Sequence, residues 1–158
     1  MFSVQLCKNK QCEPMKEKIF RQLEIYPADT SKMLEIPFVG NIKAGFPSPA
    51  DDFVAASIDL NNILIKNPEA TFFARANGTS MESDLSDGDL FIIDKSLPPA
   101  DGKMAVCFVD GEFTVKRIKI EKTRCMLIPS NADFPVIEVN ENNNFMIWGI
   151  VTYAIRKM

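Results

Sequence analysis

Hydrophobic positions follow two different periods along this chain, and the change of period divides it. Met15, Ile19, Phe20 and Leu23 recur at a weak helical spacing until Pro27 stops the pattern. Residues 36–52 carry Pro37, Gly40, Gly45, Pro47 and Pro49. These forbid a helix and predict an extended, loop-like stretch with accessible backbone. From about residue 58 short apolar runs of strand length take over. Asp59–Ile65 predicts a short helix with Asp59 as its cap. Strands are expected at Ala70–Ala76, Leu90–Asp94, Met104–Val109, Glu112–Ile120, Cys125–Pro129, Ile137–Val139 and Phe145–Ala154. Asn77-Gly78 ends the first of these, Ser80–Leu85 suits a helical turn, and Ser86-Asp87-Gly88-Asp89 reads as a turn. Asp110-Gly111 between two apolar runs is the signature of a type I′ hairpin.

Many short strands at close spacing predict a mostly β fold with a small, twisted, antiparallel-rich sheet rather than a parallel α/β sheet. Three stretches are distinguished: an N-terminal arm at 1–35, partly helical or disordered; an extended segment at 36–52; and a β-rich domain at 53–158. The length, 158 residues with 46% apolar and 25% charged, suits one ordinary domain plus a short extra segment.

Charge narrows the partners. Eighteen basic against 21 acidic residues leave a net charge of −3, so no general excess exists to attract phosphate backbones. The arm sets Lys8, Lys10, Lys16, Lys18, Arg21 and Lys32 against Glu13, Glu17, Glu24, Asp29 and Glu35, and it offers at most one helix. A helix-turn-helix module needs about three helices and a basic surface, so direct sequence-specific DNA binding is not expected. No apolar h-region follows the N-terminal lysines, and Phe145–Ile155 is too short to span a bilayer. A soluble, cytoplasmic protein is the expectation.

The chain has no histidine. That excludes a Ser-His-Asp triad, a Cys-His dyad and an HExxH zinc site. Any hydrolytic base must be Lys, Asp, Glu, Tyr, Cys or the terminal amine. Cys7, Cys12, Cys107 and Cys125 form no CxxC, so a zinc site would need all four together. No metal or cofactor is expected.

Three local features invite chemistry, and each has an ordinary structural reading beside it. Ser80 follows a strand and opens a helical turn, which exposes its hydroxyl beside unpaired N–H groups; such a serine is either a cap or a nucleophile next to an oxyanion site. Strand alternation puts Phe113, Val115, Arg117 and Lys119 on one face, and Lys116, Ile118 and Ile120 on the other. Lys116 is then either a snorkelling lysine or a desolvated base. To act as a base near pH 7 it must lose its proton about three pH units below ~10.4, which costs about 4 kcal/mol. Ala44 and Gly45 are small enough for the backbone to enter a narrow cleft, or they belong to a plain linker.

In combination these pieces are more specific. The order Ala44-Gly45, Gly78-Thr79-Ser80-Met81, Ser86-Asp87-Gly88-Asp89 and Asp110-Gly111-Glu112-Phe113-Thr114-Val115-Lys116 resembles the LexA/UmuD self-cleaving serine peptidases. The likeness runs from about Ile36 to the C-terminus. Gly-Phe-Pro-Ser-Pro-Ala from Gly45, Ile-Asp-Leu-Asn from Ile58 and Asp-Gly-Glu-Phe-Thr-Val-Lys from Asp110 are similar to the UmuD-type branch. That branch has cysteine before the scissile glycine. The alanine here, as in LexA, meets the same demand for a small residue.

The resemblance implies the small, twisted β-sheet fold of that family's peptidase domain and a Ser-Lys dyad, with Ser80 as nucleophile, Lys116 as general base, Ala44–Gly45 as the scissile bond and backbone N–H groups at Thr79 and Ser80 as oxyanion donors. It further implies a homodimer, cleavage promoted by a RecA–single-stranded DNA filament in the SOS response, and a shortened product acting with a UmuC-like Y-family translesion polymerase. Phe145–Ala154 is either a dimer-facing strand or a core strand. The alternatives are a relative of LexA- or phage-type repressors or antirepressors, and a non-catalytic binding module on the same fold.

Overall fold

The protein is described by a computed structural model, covering residues 24–32, 35–39, 54–140 and 142–158. Ten strands are present: β1 Glu24–Pro27, β2 Glu35–Val39, β3 Val54–Asp59, β4 Thr71–Arg75, β5 Leu90–Asp94, β6 Met104–Val109, β7 Glu112–Ile120, β8 Cys125–Ile128, β9 Ile137–Val139 and β10 Phe145–Ile155. One short helix, α1 Leu60–Leu64, and a 3-10 turn at Pro68–Ala70 complete the elements among the described residues. Eight strands form one sheet in the order β1-β4-β5-β10-β6-β7-β8-β9, while β2 and β3 pair separately. Every pairing is antiparallel. The fold is mostly β, as the pattern of short apolar runs predicts.

Composition explains the order within the sheet. β5 reads Leu-Phe-Ile-Ile-Asp, and Phe91, Ile92 and Ile93 are fully buried. A strand apolar on both faces must lie inside, and β5 lies between β4 and β10. β10 is the long strand that joins the two halves: its first part pairs with β6 and its last part with β5, with register shifts at Ile147/Gly149 and Val151/Tyr153. Pro27, which cannot donate to a ladder, closes the edge strand β1. Pro37 falls at the register shift between Ile36 and Phe38 in the β2–β3 pair.

Local signals translate directly. Asp59 caps α1, its carboxylate accepting from the Asn61 N–H at 3.0 Å. The β6–β7 hairpin turns through Asp110 at φ 48° and Gly111 at φ 100°, both in the left-handed region that a type I′ turn requires. Asp110 Oδ1 also accepts from the Asn144 N–H at 2.8 Å, tying the hairpin tip to the start of β10.

The sheet is covered on both faces. Phe113 and Val115 join Ala74, Met81, Leu85, Phe91 and Val106 in one core cluster. Ile118 joins Ala105, Cys107, Leu127 and Ile150 in a second. The two faces of β7 therefore each meet a core, and Lys116 shares its face with the second one. Among the described residues, no helix is long and apolar enough to cross a membrane.

Of the three stretches distinguished in the sequence, the arm contributes Glu24–Pro27 as β1. The helical pattern at 15–23, and Cys7 and Cys12, lie outside the described residues. So do Ala44 and Gly45, between the end of β2 and the start of β3.

Candidate active site

The loop between β4 and β5 is closed at its neck by backbone. The Ala76 N–H donates to the Asp89 carbonyl at 2.8 Å, and the Gly88 N–H returns to the Ala76 carbonyl at 2.9 Å. Gly78, at φ 105°, turns the chain and donates its N–H to Asp87 Oδ1 at 2.7 Å. Asp89 is almost fully buried; its Oδ2 accepts from the Ser86 N–H at 2.8 Å, and both its oxygens are gripped by the Arg156 guanidinium at 2.6–3.1 Å. Arg156 holds that carboxyl below the usual carboxylate range, against the opposing effect of burial.

Inside this loop the chain makes one helical turn. The Asp84 and Leu85 N–H groups donate to the Met81 carbonyl at 2.9 and 2.6 Å, and the Glu82 N–H donates to the Thr79 carbonyl at 3.2 Å. Met81 and Leu85, four apart, face the core and are buried. Ser80 is thereby left on the side that meets β7. As at any helix start, the first N–H groups have no intrahelical partner. Those of Thr79, Ser80 and Met81 donate to no acceptor among the described residues.

Lys116 comes to Ser80 from the middle of β7. Its Nζ lies 2.9 Å from Ser80 Oγ, 2.8 Å from Thr114 Oγ1 and 2.9 Å from the Val115 carbonyl oxygen. Three N–H groups of an ammonium can donate to these three oxygens; once neutral, the amine keeps two N–H groups for Val115 and Thr114 and turns its lone pair to the Ser80 hydroxyl. The residue is only 5% exposed. Among the described residues no carboxylate pairs with it. Burial without a counter-charge pushes the Lys116 amine below the ordinary lysine range, with Cys107 opposing weakly. Burial likewise pushes the Cys107 thiol up to about 12, which keeps it protonated beside the amine.

A small cleft of about 80 Å³ opens at the serine, walled by Gly78, Ser80 and Met81 on one side and by Thr114 and Val115 on the other. Among the described residues, β8 meets β7 only at Arg117–Ile120, so the Thr114–Lys116 stretch has its strand partner on the β6 side alone. An ion pair from Arg117 Nη2 to Asp84 Oδ2 at 2.8 Å joins this strand to the serine turn.

Ser80 and Lys116, 36 residues apart, are thus brought into hydrogen-bond contact. Thr79 stands beside them with its N–H unengaged among the described residues. Thr114 escaped the sequence reading, although strand alternation puts it on the Lys116 face two residues away. The Arg156 grip and the contacts of Asn131 with the turn carry no local sequence signal.

A serine hydroxyl held against a buried lysine amine, in a chain without histidine, is the geometry that a lysine-activated serine nucleophile requires. Known proteins agree. The Peptidase S24-like family matches residues 37–152. The chain is 44% identical over 121 residues to Protein SamA of Salmonella typhimurium strain LT2, covering 76% of this chain and 84% of SamA. It is 39% identical over 128 residues to Protein MucA of Salmonella typhimurium, covering 79% of this chain and 87% of MucA. Against the LexA repressor of Anaeromyxobacter dehalogenans it is 34% identical over 131 residues, which is 81% of this chain and 58% of the repressor. The chain belongs to the S24 peptidase family, the LexA/UmuD self-cleaving serine peptidases, on its UmuD-type side. It is an autoproteolytic serine peptidase of the SOS mutagenesis response.

Proposed function

We propose that Ser80 and Lys116 cut this chain's own Ala44–Gly45 bond. The observation that carries the reading is the 2.9 Å contact between Ser80 Oγ and a buried lysine amine that no carboxylate among the described residues pairs with. Neutral Lys116 takes the Ser80 proton as Oγ bonds to the Ala44 carbonyl carbon. The negative charge on the carbonyl oxygen is met by N–H groups at Thr79 and Ser80. The tetrahedral adduct collapses, the C–N bond breaks, and protonated Lys116 gives its proton to the Gly45 amine. Water, deprotonated by the again-neutral Lys116, hydrolyses the ester and frees residues 1–44 from 45–158.

The side of β7 that has no strand partner at Thr114–Lys116 among the described residues suits an extended peptide laid along the cleft, and Ala44 suits the small space beside Ser80. Because the substrate is tethered, docking replaces diffusion, and cleavage is controlled by the segment's docking equilibrium and the charge on Lys116. A RecA–single-stranded DNA filament then acts by selecting the docked conformation, which requires no added catalytic group. The protein works as a homodimer, and the product 45–158 serves as accessory subunit to a UmuC-like Y-family translesion polymerase.

The test is intact-mass spectrometry over time at rising pH, with and without RecA filaments. Wild type yields the two fragments of a cut at Ala44–Gly45, faster at higher pH and faster with filaments. Ser80→Ala and Lys116→Ala remain whole; continued cutting at that bond in either variant overturns the dyad. Co-purification of 45–158, and not of uncut Ser80→Ala, with the polymerase tests the accessory role.

A further inference from the structure

The turn that carries Ser80 is held from outside the cleft by one residue of the loop after β8. The Asn131 side-chain Nδ2 donates to the Thr79 carbonyl at 3.0 Å, and the Asn131 backbone N–H donates to the Ser80 carbonyl at 3.1 Å. Those carbonyls belong to the two peptide planes that flank the Ser80 Cα. The geometry points to Asn131 as the positioning residue that fixes the nucleophile and its oxyanion donor together.

The reason lies in the planarity of the peptide unit. In a trans peptide the C=O and the following N–H point in opposite directions. With the Thr79 carbonyl drawn to Asn131, the Ser80 N–H is turned away from that loop. Ser80 is part of the cleft walls and Asn131 is not, so an N–H turned away from the Asn131 loop is left free to serve the cleft. With the Ser80 carbonyl also held, both φ and ψ of Ser80 are fixed, and the direction of its Cα–Cβ bond follows. Inside the turn the Glu82 N–H also donates to the Thr79 carbonyl. Asn131 adds the hold from outside and is the residue that reaches both planes, so it helps set where Oγ attacks from and where the N–H waits for the oxyanion.

Asn131 is itself immobilised. Its Oδ1 accepts from the Asp133 N–H at 3.0 Å, and its carbonyl accepts from the Phe134 N–H at 3.2 Å. The Asp133 bond requires oxygen on one side of the amide and the Thr79 bond requires nitrogen on the other, so the side chain has one orientation. The neighbouring Ser130 carbonyl accepts from Ser83 Oγ at 3.2 Å, a third link between the two loops. Asparagine is needed because it supplies a donor and an acceptor on one short planar group.

This inference rests on Ser80 as the nucleophile, and its test separates the two. Asn131→Asp keeps the shape, the backbone N–H and the acceptor for Asp133, but places an oxygen against the Thr79 carbonyl. Asn131→Ser keeps an acceptor for Asp133 and cannot reach Thr79. Autocleavage is followed by intact mass across pH, beside Ser80→Ala and a thermal melt of each variant. The expected result is a plateau rate constant about a hundredfold lower for both variants, the scale of one lost oxyanion donor. The pH midpoint should be unchanged in Asn131→Ser, which adds no charge, whereas the new carboxylate of Asn131→Asp can raise it; each variant should remain folded. A folded variant whose plateau stays within threefold of wild type overturns the proposal. So does a shifted pH midpoint in Asn131→Ser, which assigns the effect to the Lys116 environment. Loss of the folded state in both variants also overturns it, because Asn131 is then a folding residue. Cleavage persisting in Ser80→Ala overturns the dyad instead.

Discussion

Replacing Lys116 by methionine tests whether this lysine carries the electrostatic cost that its burial implies. The comparison is made in a Ser80→Ala background, so that no chain is cut. In the native state Lys116 is 5% exposed, has no carboxylate partner among the described residues, and has an amine displaced below its ordinary range by burial. In the unfolded chain the same amine titrates near ~10.4. Between those two values the unfolded state holds more protons than the native state. Unfolding free energy therefore rises with pH, by up to about 1.4 kcal/mol per pH unit for this one group. Methionine has no proton to lose, so the difference between parent and Lys116→Met must have that slope. Each pH unit inside the window changes the difference by up to about 1.4 kcal/mol, which moves the relative urea midpoint by about 0.5–1.4 M. The absolute offset is less informative. Methionine also leaves the Val115 carbonyl and the Thr114 hydroxyl without the amine, a penalty of about 1–3 kcal/mol that is independent of pH. Urea unfolding from pH 6 to 11 can be read from Trp148, the only tryptophan, packed 5.0 Å from the Phe72 ring and 6.0 Å from the Phe113 ring. The parent should gain on the variant as pH rises and stop gaining above ~10.4. A flat or falling difference would refute the desolvated-lysine argument, and with it the reason the amine can act as a base.

Gly149→Ala places a Cβ 2.6 Å from Ile93 Cγ2 and 3.5 Å from the Asp94 carbonyl oxygen, so it should cost about 1–3 kcal/mol in urea unfolding; parent-like stability would show that β5 and β10 yield easily there. Cys107, fully buried with a thiol pushed up to about 12, should resist alkylation at pH 8 in folded protein and react once urea unfolds it; peptide mass spectrometry reads the difference, and modification in the native state at a free-thiol rate contradicts the burial. Arg156 holds the Asp89 carboxyl below the usual range, so that pair stabilises the fold above the ordinary carboxylate pKa and loses its effect as pH falls through the lowered value. Arg156→Ala should therefore show a shallower loss of stability on acidification than the parent, measured by thermal melts from pH 7 to 3; an unaltered acid limb would mean that the grip does not bear on the loop neck.

Much of the fold is legible because its signals are local. Asp110-Gly111 announces its turn, Asp59 its helix cap, and the unbroken apolar run at Leu90–Ile93 its place inside the sheet. Strands β1, β2 and β3 escape the sequence reading, which has residues 36–52 as extended and loop-like. Glu24–Pro27 has a proline and no alternation, and is a strand only because β4 offers an edge; Val54–Asp59 depends in the same way on β2. For the dyad, alternation places Lys116 among apolar neighbours but leaves open whether the amine reaches water. That is decided by contacts across the fold: Ala105 opposite Lys116 in the register, Thr114 on the same face, and a serine turn anchored by Met81 and Leu85. Asn131 shows the limit most plainly. Its value lies in two carbonyls about fifty positions upstream, and no pattern along the chain connects them.

The places of β1 and β2 bear on what the proposed cut of the Ala44–Gly45 bond would achieve. Both strands precede that bond, yet β1 is laced to β4 and β2 to β3, on the far side of the cut. Hydrolysis alone leaves a nicked complex, and the amputated piece departs only when these two ladders come apart. β1 is a border strand of four residues and β2 belongs to a separate ribbon, so their loss strips the periphery and spares the other seven strands of the main sheet. Maturation would then have two clocks, one for chemistry and one for shedding. The second also lays bare the flank of Thr71–Arg75 that β1 had occupied.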